Sequence, residues 1–119
     1  MSRARVVKEK LKENGVLFLA IYVETRNASL ILLSEGEDHL GTLAVAIPQE
    51  QKMIGPLLSS ILLGNRNVTT ARVLAERLAR TMSKIALVSV FTKTVSDSEA
   101  GPVLLKLVKK IIGKEGIEA

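Results

Sequence analysis

VLFLAIYV, residues 16–23, decides how this chain is read. It is apolar at every position and rich in β-branched and aromatic residues, so length and composition predict a strand. A strand with one solvated face alternates apolar and polar residues. This one does not, and TLAVAI (42–47) and IALVSVF (85–91) scarcely do. The period of two still sorts the side chains. Val16, Phe18, Ala20 and Tyr22 share one side, and Leu17, Leu19, Ile21 and Val23 share the other. A sheet built from such strands must be covered on both faces.

Working outward, RNAS (26–29) reads as a turn and LILL (30–33) as the returning strand of a hairpin. SEGEDHLG (34–41) is an acidic loop, TLAVAI is stopped by Pro48, QEQKMIG is a loop, and PLLSSILL (56–63) is a fourth strand opening on proline. IALVSVF is the fifth. Residues 2–13 place Val6, Val7 and Leu11 near one helical face, a short helix that Asn14-Gly15 would end.

Two main helices follow from the periodicity. In the first, Ala71, Leu74, Ala75, Leu78 and Met82 form one apolar stripe, with Asn67, Thr69 or Thr70 as the cap. The second spans SDSEAGPVLLKLVKKIIG (96–113), with Asp97 or Ser98 as cap, Pro102 in the first turn and Gly113 as the stop. Its stripe is Leu104, Leu107, Val108 and Ile111.

Two helices roof one face of a sheet. Each strand places about four side chains on the other face, and burying a large aliphatic side chain contributes roughly 1.5–3 kcal/mol. One strand therefore leaves about 6–12 kcal/mol unrealised, against a whole-domain stability of about 5–15 kcal/mol. The expectation is an α+β fold: an antiparallel β-sheet of about five strands, two main helices packed on one face, and the other face used for dimerisation. A sheet that curls on itself, or helices that cover both sides, are the alternatives. Phe18, Ala20, Tyr22, Leu30 and Leu32 are the candidate interface residues.

At 119 residues the chain fits one domain: an N-terminal segment over 1–14, the α+β domain over 15–113, and a loose tail over 114–119. With no cysteine there is no disulfide framework and no thiolate chemistry. The charged N-terminus does not read as a secretory leader, and no uncharged apolar run spans a bilayer, so a cytoplasmic location without membrane insertion is expected.

The net charge of +5 is uneven. Residues 15–64 hold two basic and five acidic residues, whereas residues 65–119 hold ten basic and five acidic. That excess reads as a solvated helix face or as a surface for an acidic partner. Readers of single-stranded nucleic acid stack bases on aromatics; here Phe18, Tyr22 and Phe91 all lie within apolar strands, which makes a nucleic-acid role the weaker alternative.

LLGNRNVTTARVLAERLAR (62–80) has the order of a phosphate-cradling loop: strand, glycine, polar turn, helix. It lacks the second glycine and the lysine of a P-loop. A structural corner, with Gly64 turning the chain, or a weak anion site using Arg66 are the two readings. The single histidine, His39, lies among Glu35, Glu37 and Asp38, a set that more often is solvated than metal-bound. There is no sequence context for a catalytic triad or an acid–base pair. No catalytic residue, cofactor or metal is expected.

The order of these pieces carries a resemblance. A hairpin, LAVAI, SSILLG, a polar turn with TT, LAERLAR, a lysine, VSV and a DS-capped helix resemble the small proteasome assembly chaperones numbered 3 and 4, especially the latter. The likeness covers about residues 15–112 and is most specific at Leu62-Leu63-Gly64, Thr69-Thr70, Leu74-Ala75, Arg77-Leu78-Ala79-Arg80 and Asp97-Ser98. It implies dimerisation through the sheet and a non-enzymatic role with proteasome α-subunits. The eukaryotic pair works as a heterodimer; for a compact, cysteine-free chain the expectation is an archaeal homologue, paired with itself or with a related subunit. Larger assembly chaperones dock a hydrophobic-Tyr-any tail, whereas this chain ends Gly-Ile-Glu-Ala. Docking is therefore expected on a folded surface, the helix face bearing Arg66, Arg72, Arg77 and Arg80.

Overall fold

A computed structural model describes residues 3–48 and 58–114. The elements run β1 (Arg5–Glu13), β2 (Val16–Glu24), β3 (Ala28–Glu35), β4 (Thr42–Ala46), β5 (Ser59–Leu63), α1 (Val68–Met82), β6 (Ile85–Phe91) and α2 (Asp97–Lys114). The six strands form one sheet in the order β1-β2-β3-β6-β4-β5. The 49–55 loop and the expected start of a strand at Pro56 fall outside the described residues.

The α+β class and the single helical layer hold, but the sheet has a sixth strand. Residues 5–13 are not a helix; they pair antiparallel with β2 along their whole length, from Arg5 opposite Glu24 to Glu13 opposite Val16. The reason is local. Asn14 and Gly15 both take positive φ, 53° and 78°, the conformation a two-residue hairpin demands and one Asn-Gly adopts most readily. What reads as a helix stop is a hairpin turn.

The sheet is also mixed. β2 pairs antiparallel with β1 and β3, and β4 with β5 and β6, but β3 and β6 run parallel from Ala28 opposite Ile85 to Ser34 opposite Phe91. A parallel pair needs a long crossover. Helix α1 supplies the last part of it, carrying the chain from edge strand β5 to the middle of the sheet.

Both helices pack on one face: α1 over β4, β5 and β6, and α2 over β1 and β2. Residue size fits this division. Ala71, Ala75 and Ala79 repeat every fourth residue on α1 and are fully buried, as are Ala44, Ala46 and Ala86 on the strands below. Small side chains on both layers let the helix lie close. Phe18, Tyr22, Ile31 and Leu33 fill the deeper space, with Leu104, Leu107 and Ile111 of α2 in the same core. The Tyr22 hydroxyl is satisfied by Ser29 Oγ at 3.1 Å, as a buried hydroxyl requires.

The helix ends differ in detail from the expected caps. Asn67 precedes α1 in a left-handed conformation and makes no side-chain cap. At α2 the cap is Ser96, in a reciprocal capping box: Ser96 Oγ accepts the Glu99 N–H at 3.2 Å, and Glu99 Oε1 accepts the Ser96 N–H at 3.1 Å. The Ser96 N–H, together with the Ser96 hydroxyl, which donates to Glu99 Oε1 at 3.0 Å, holds the Glu99 carboxyl below its ordinary pKa. Because α2 starts at Asp97, Pro102 lies inside the helix, past its first turn.

Candidate interaction surfaces

The face of the sheet away from the helices is built by the strand register. One cross-strand row runs Val6, Val23, Leu30, Leu87, Val45, Ser60; the next runs Lys8, Ile21, Leu32, Ser89, Leu43, Leu63. Along β2, Leu17, Leu19, Ile21 and Val23 all belong to it. The centre is apolar and half-buried by its own neighbours, and at the β5 edge Leu62 and Leu63 are exposed. The opposite edge is polar: Lys8, Lys10 and Lys12 alternate with the inward residues of β1 and are all exposed. An apolar centre with a charged margin is the anatomy of a protein interface.

The acidic loop folds against one end of this face. Ser34 Oγ accepts the His39 N–H at 3.0 Å and donates to the His39 carbonyl at 3.1 Å. The His39 ring lies on Phe91, with centroids 4.3 Å apart. Ser89 Oγ accepts the Gly41 N–H at 2.8 Å. Ser89 in the second row, and Ser34 in the row beyond it opposite Leu19, are thereby satisfied by the loop.

Of the five expected interface residues, only Leu30 and Leu32 lie on this face. Phe18, Ala20 and Tyr22 point into the helix layer and are 2%, 1% and 1% exposed, so they are core residues. The two-residue alternation along β2 is as expected, and it is the Phe18 side that meets the helices. On β2 the residues that do lie on this face are Leu17, Leu19, Ile21 and Val23.

The four arginines do not act as one group. Arg66 donates to the Lys93 carbonyl at 3.3 Å, and Arg72 Nε donates to Ser59 Oγ at 3.0 Å beside β5. Arg77 and Arg80 are exposed on α1, Arg77 on the side facing α2. There it joins Val73, Leu74, Pro102 and Leu105 around an apolar groove between the helices.

The Gly64 corner is structural. A Cβ on Gly64 would come within 2.7 Å of Thr42 Cα, and its φ is +91°. Thr42 Oγ1 accepts the Arg66 N–H at 3.2 Å, Asn67 Nδ2 donates to Thr92 Oγ1 at 2.9 Å, and the Thr70 hydroxyl donates to the Asp97 carboxylate. The buried Asn67 Oδ1 has no partner. The side chains of this corner are thus engaged mainly within the chain.

Glu35 has a structural task that the sequence did not disclose. Its buried carboxylate accepts N–H groups from Lys93 (2.8 Å), Thr94 (3.1 Å) and Val95 (3.2 Å), and the Thr94 hydroxyl. Burial pushes its pKa up, but the Thr94 hydroxyl and the three N–H groups together outweigh that and leave it lowered. With Glu35 turned inward and His39 on Phe91, the acidic loop does not converge on an ion. Among the described residues no cluster of three metal-ligating side chains exists, and no helix is long and apolar enough to cross a membrane.

No protein-family model matches the sequence, and no curated protein matches it. The fold does have a counterpart. A chain from the crystal structure of a chaperone complex for yeast 20S proteasome assembly superposes with a TM-score of 0.69 at 13% identity, covering 95% of each chain. The whole domain, not a fragment of it, is shared, and at that identity the likeness is one of fold.

Proposed function

We propose that this chain is a non-catalytic binding protein that assists proteasome assembly. In this reading it binds 20S α-subunits through a folded surface and closes its apolar sheet face against a second copy or a related subunit. The observation that carries the proposal is the coincidence of two things: full-length likeness in fold to a proteasome assembly chaperone, and an apolar sheet face that the chain's own described residues leave open. A binding protein needs such surfaces and no reactive group.

The helix layer is the surface left for the α-subunit once the sheet face is closed. Its arginines would steer an acidic partner, raising the association rate more than the affinity. Phe18 and Tyr22 are buried under the helices and Phe91 lies against His39, so no aromatic platform accompanies the basic charge. That favours protein over nucleic acid.

Immobilised protein challenged with isolated 20S α-subunits, at low and at moderate salt, tests the role. Retention of an α-subunit, weaker as salt rises, is expected. Recovery of none at either salt contradicts it.

A further inference from the structure

An apolar groove of about 350 Å³ runs between α1 and α2, walled by Val73 and Leu74 on one side and Pro102 and Leu105 on the other. Val73 is 55% exposed on a helix face otherwise occupied by Arg72, Glu76 and Arg80, so apolar surface is placed where solubility asks for charge.

Gly101 also lines the groove. A glycine within a helix lowers its stability relative to alanine, so it calls for a reason. Packing does not supply one: a Cβ there would sit 3.6 Å from Thr70 Oγ1, an ordinary contact. With no side chain of its own, it leaves that part of the groove lining bare.

The groove is polarised. Arg77 lines it, Arg80 follows Arg77 by three residues, and Lys109 follows Leu105 by one turn; all three are exposed. The lysines on the other flank of α2 are engaged, Lys106 with Glu13 at 2.9 Å and Lys110 with Glu9 at 3.4 Å. No ion pair among the described residues engages Arg77, Arg80 or Lys109. The one carboxylate at the far end, Asp97, is bonded to Thr70.

We infer that the α1–α2 groove is a docking site for an amphipathic segment of a partner protein, with leucine-sized side chains seated on Val73 and Leu105 and carboxylates meeting Arg77, Arg80 and Lys109. The mode is that of a helix laid into a groove. Identifying that partner as a proteasome α-subunit rests on the proposed function; the chemistry of the groove does not.

The test uses a fluorescein-labelled amphipathic peptide with leucines three and four residues apart and a run of glutamates at one end, titrated by anisotropy. Its control carries lysines in place of the glutamates. The glutamate peptide is expected to bind saturably and the lysine peptide at least roughly tenfold more weakly. Gly101→Leu, whose Cβ has ordinary van der Waals room and whose outer carbons would occupy the groove, and Arg77→Glu should each weaken the glutamate peptide roughly tenfold, with circular dichroism unchanged. Equal binding of both peptides, or binding unaffected by Gly101→Leu, overturns the inference. If wild type and Gly101→Leu capture α-subunits equally, the groove is refuted as their site while the assembly role stands. If no α-subunit is captured but the glutamate peptide binds through Gly101 and Arg77, the role fails and the groove stands.

Discussion

The Glu35 carboxylate accepts the backbone N–H of Lys93 at 2.8 Å, across 58 positions of sequence. With the Thr94 and Val95 bonds it ties the end of β3 to the segment that leads from β6 into α2. Replacing Glu35 with alanine leaves several donors without their acceptor, and should cost about 2–3 kcal/mol, read from urea denaturation at neutral pH. The pH dependence has a definite sign. A carboxyl whose folded pKa is depressed stabilises fully above its unfolded value, here near 4.5, and loses that contribution as pH falls through the lower folded value. The difference between wild type and Glu35→Ala should therefore be full at neutral pH and shrink on acidification below about 4.5.

Gly64 and Gly113 make a matched pair of opposite sign. At Gly64 an alanine Cβ meets Thr42 at a backbone φ of +91°, so Gly64→Ala should cost at least about 2 kcal/mol. At Gly113, near the end of α2, a Cβ meets nothing within 4 Å, so Gly113→Ala should be neutral or stabilise by up to about 1 kcal/mol. Thermal melts of the two variants check both.

The capping box at the start of α2 predicts a smaller loss. Ser96→Ala removes the acceptor for the Glu99 N–H and should destabilise by about 1 kcal/mol, measured by chemical denaturation. Hydrogen exchange should report the change in the first turn of α2 rather than across the sheet.

Charge on the helix layer predicts a kinetic signature. Arg77→Glu with Arg80→Glu should lower the association rate with an α-subunit more than it raises the dissociation rate. The wild-type rate should fall as ionic strength rises. Surface plasmon resonance across a salt series separates the two rates.

Much of the fold was legible because its signals are local. The apolar runs marked β2, β4 and β6, and the four-residue alanine and leucine steps marked α1. The misreading of β1 follows from one residue pair. Asn14-Gly15 ends a helix or closes a hairpin with equal ease, and Val6, Val7 and Leu11 fit a helical face as well as a strand. Reading β1 as a helix also cost the choice of sheet face. β2 is apolar on both sides and says nothing of inside and outside, but β1 is one-sided. Val7 and Leu11 pair with Tyr22 and Phe18, while Lys8, Lys10 and Lys12 pair with Ile21, Leu19 and Leu17. Three lysines in alternation point away from the core and would have turned Phe18 and Tyr22 inward. The Glu35 clamp had no such signal, since its partners, three backbone N–H groups and the Thr94 hydroxyl, lie 58 to 60 residues away.

Closure of the face carrying Leu19, Ile21, Leu30, Leu32 and Leu87 by another subunit, as proposed, fixes the mass of the particle in solution. Sedimentation equilibrium of the purified chain across a wide dilution series, alongside Leu32→Asp, tests it most directly. The mass of two chains is expected for wild type at micromolar concentration, and the mass of one, or aggregation, for Leu32→Asp. A wild-type chain that stays a well-dispersed single subunit at every concentration, unaltered by Leu32→Asp, would contradict it.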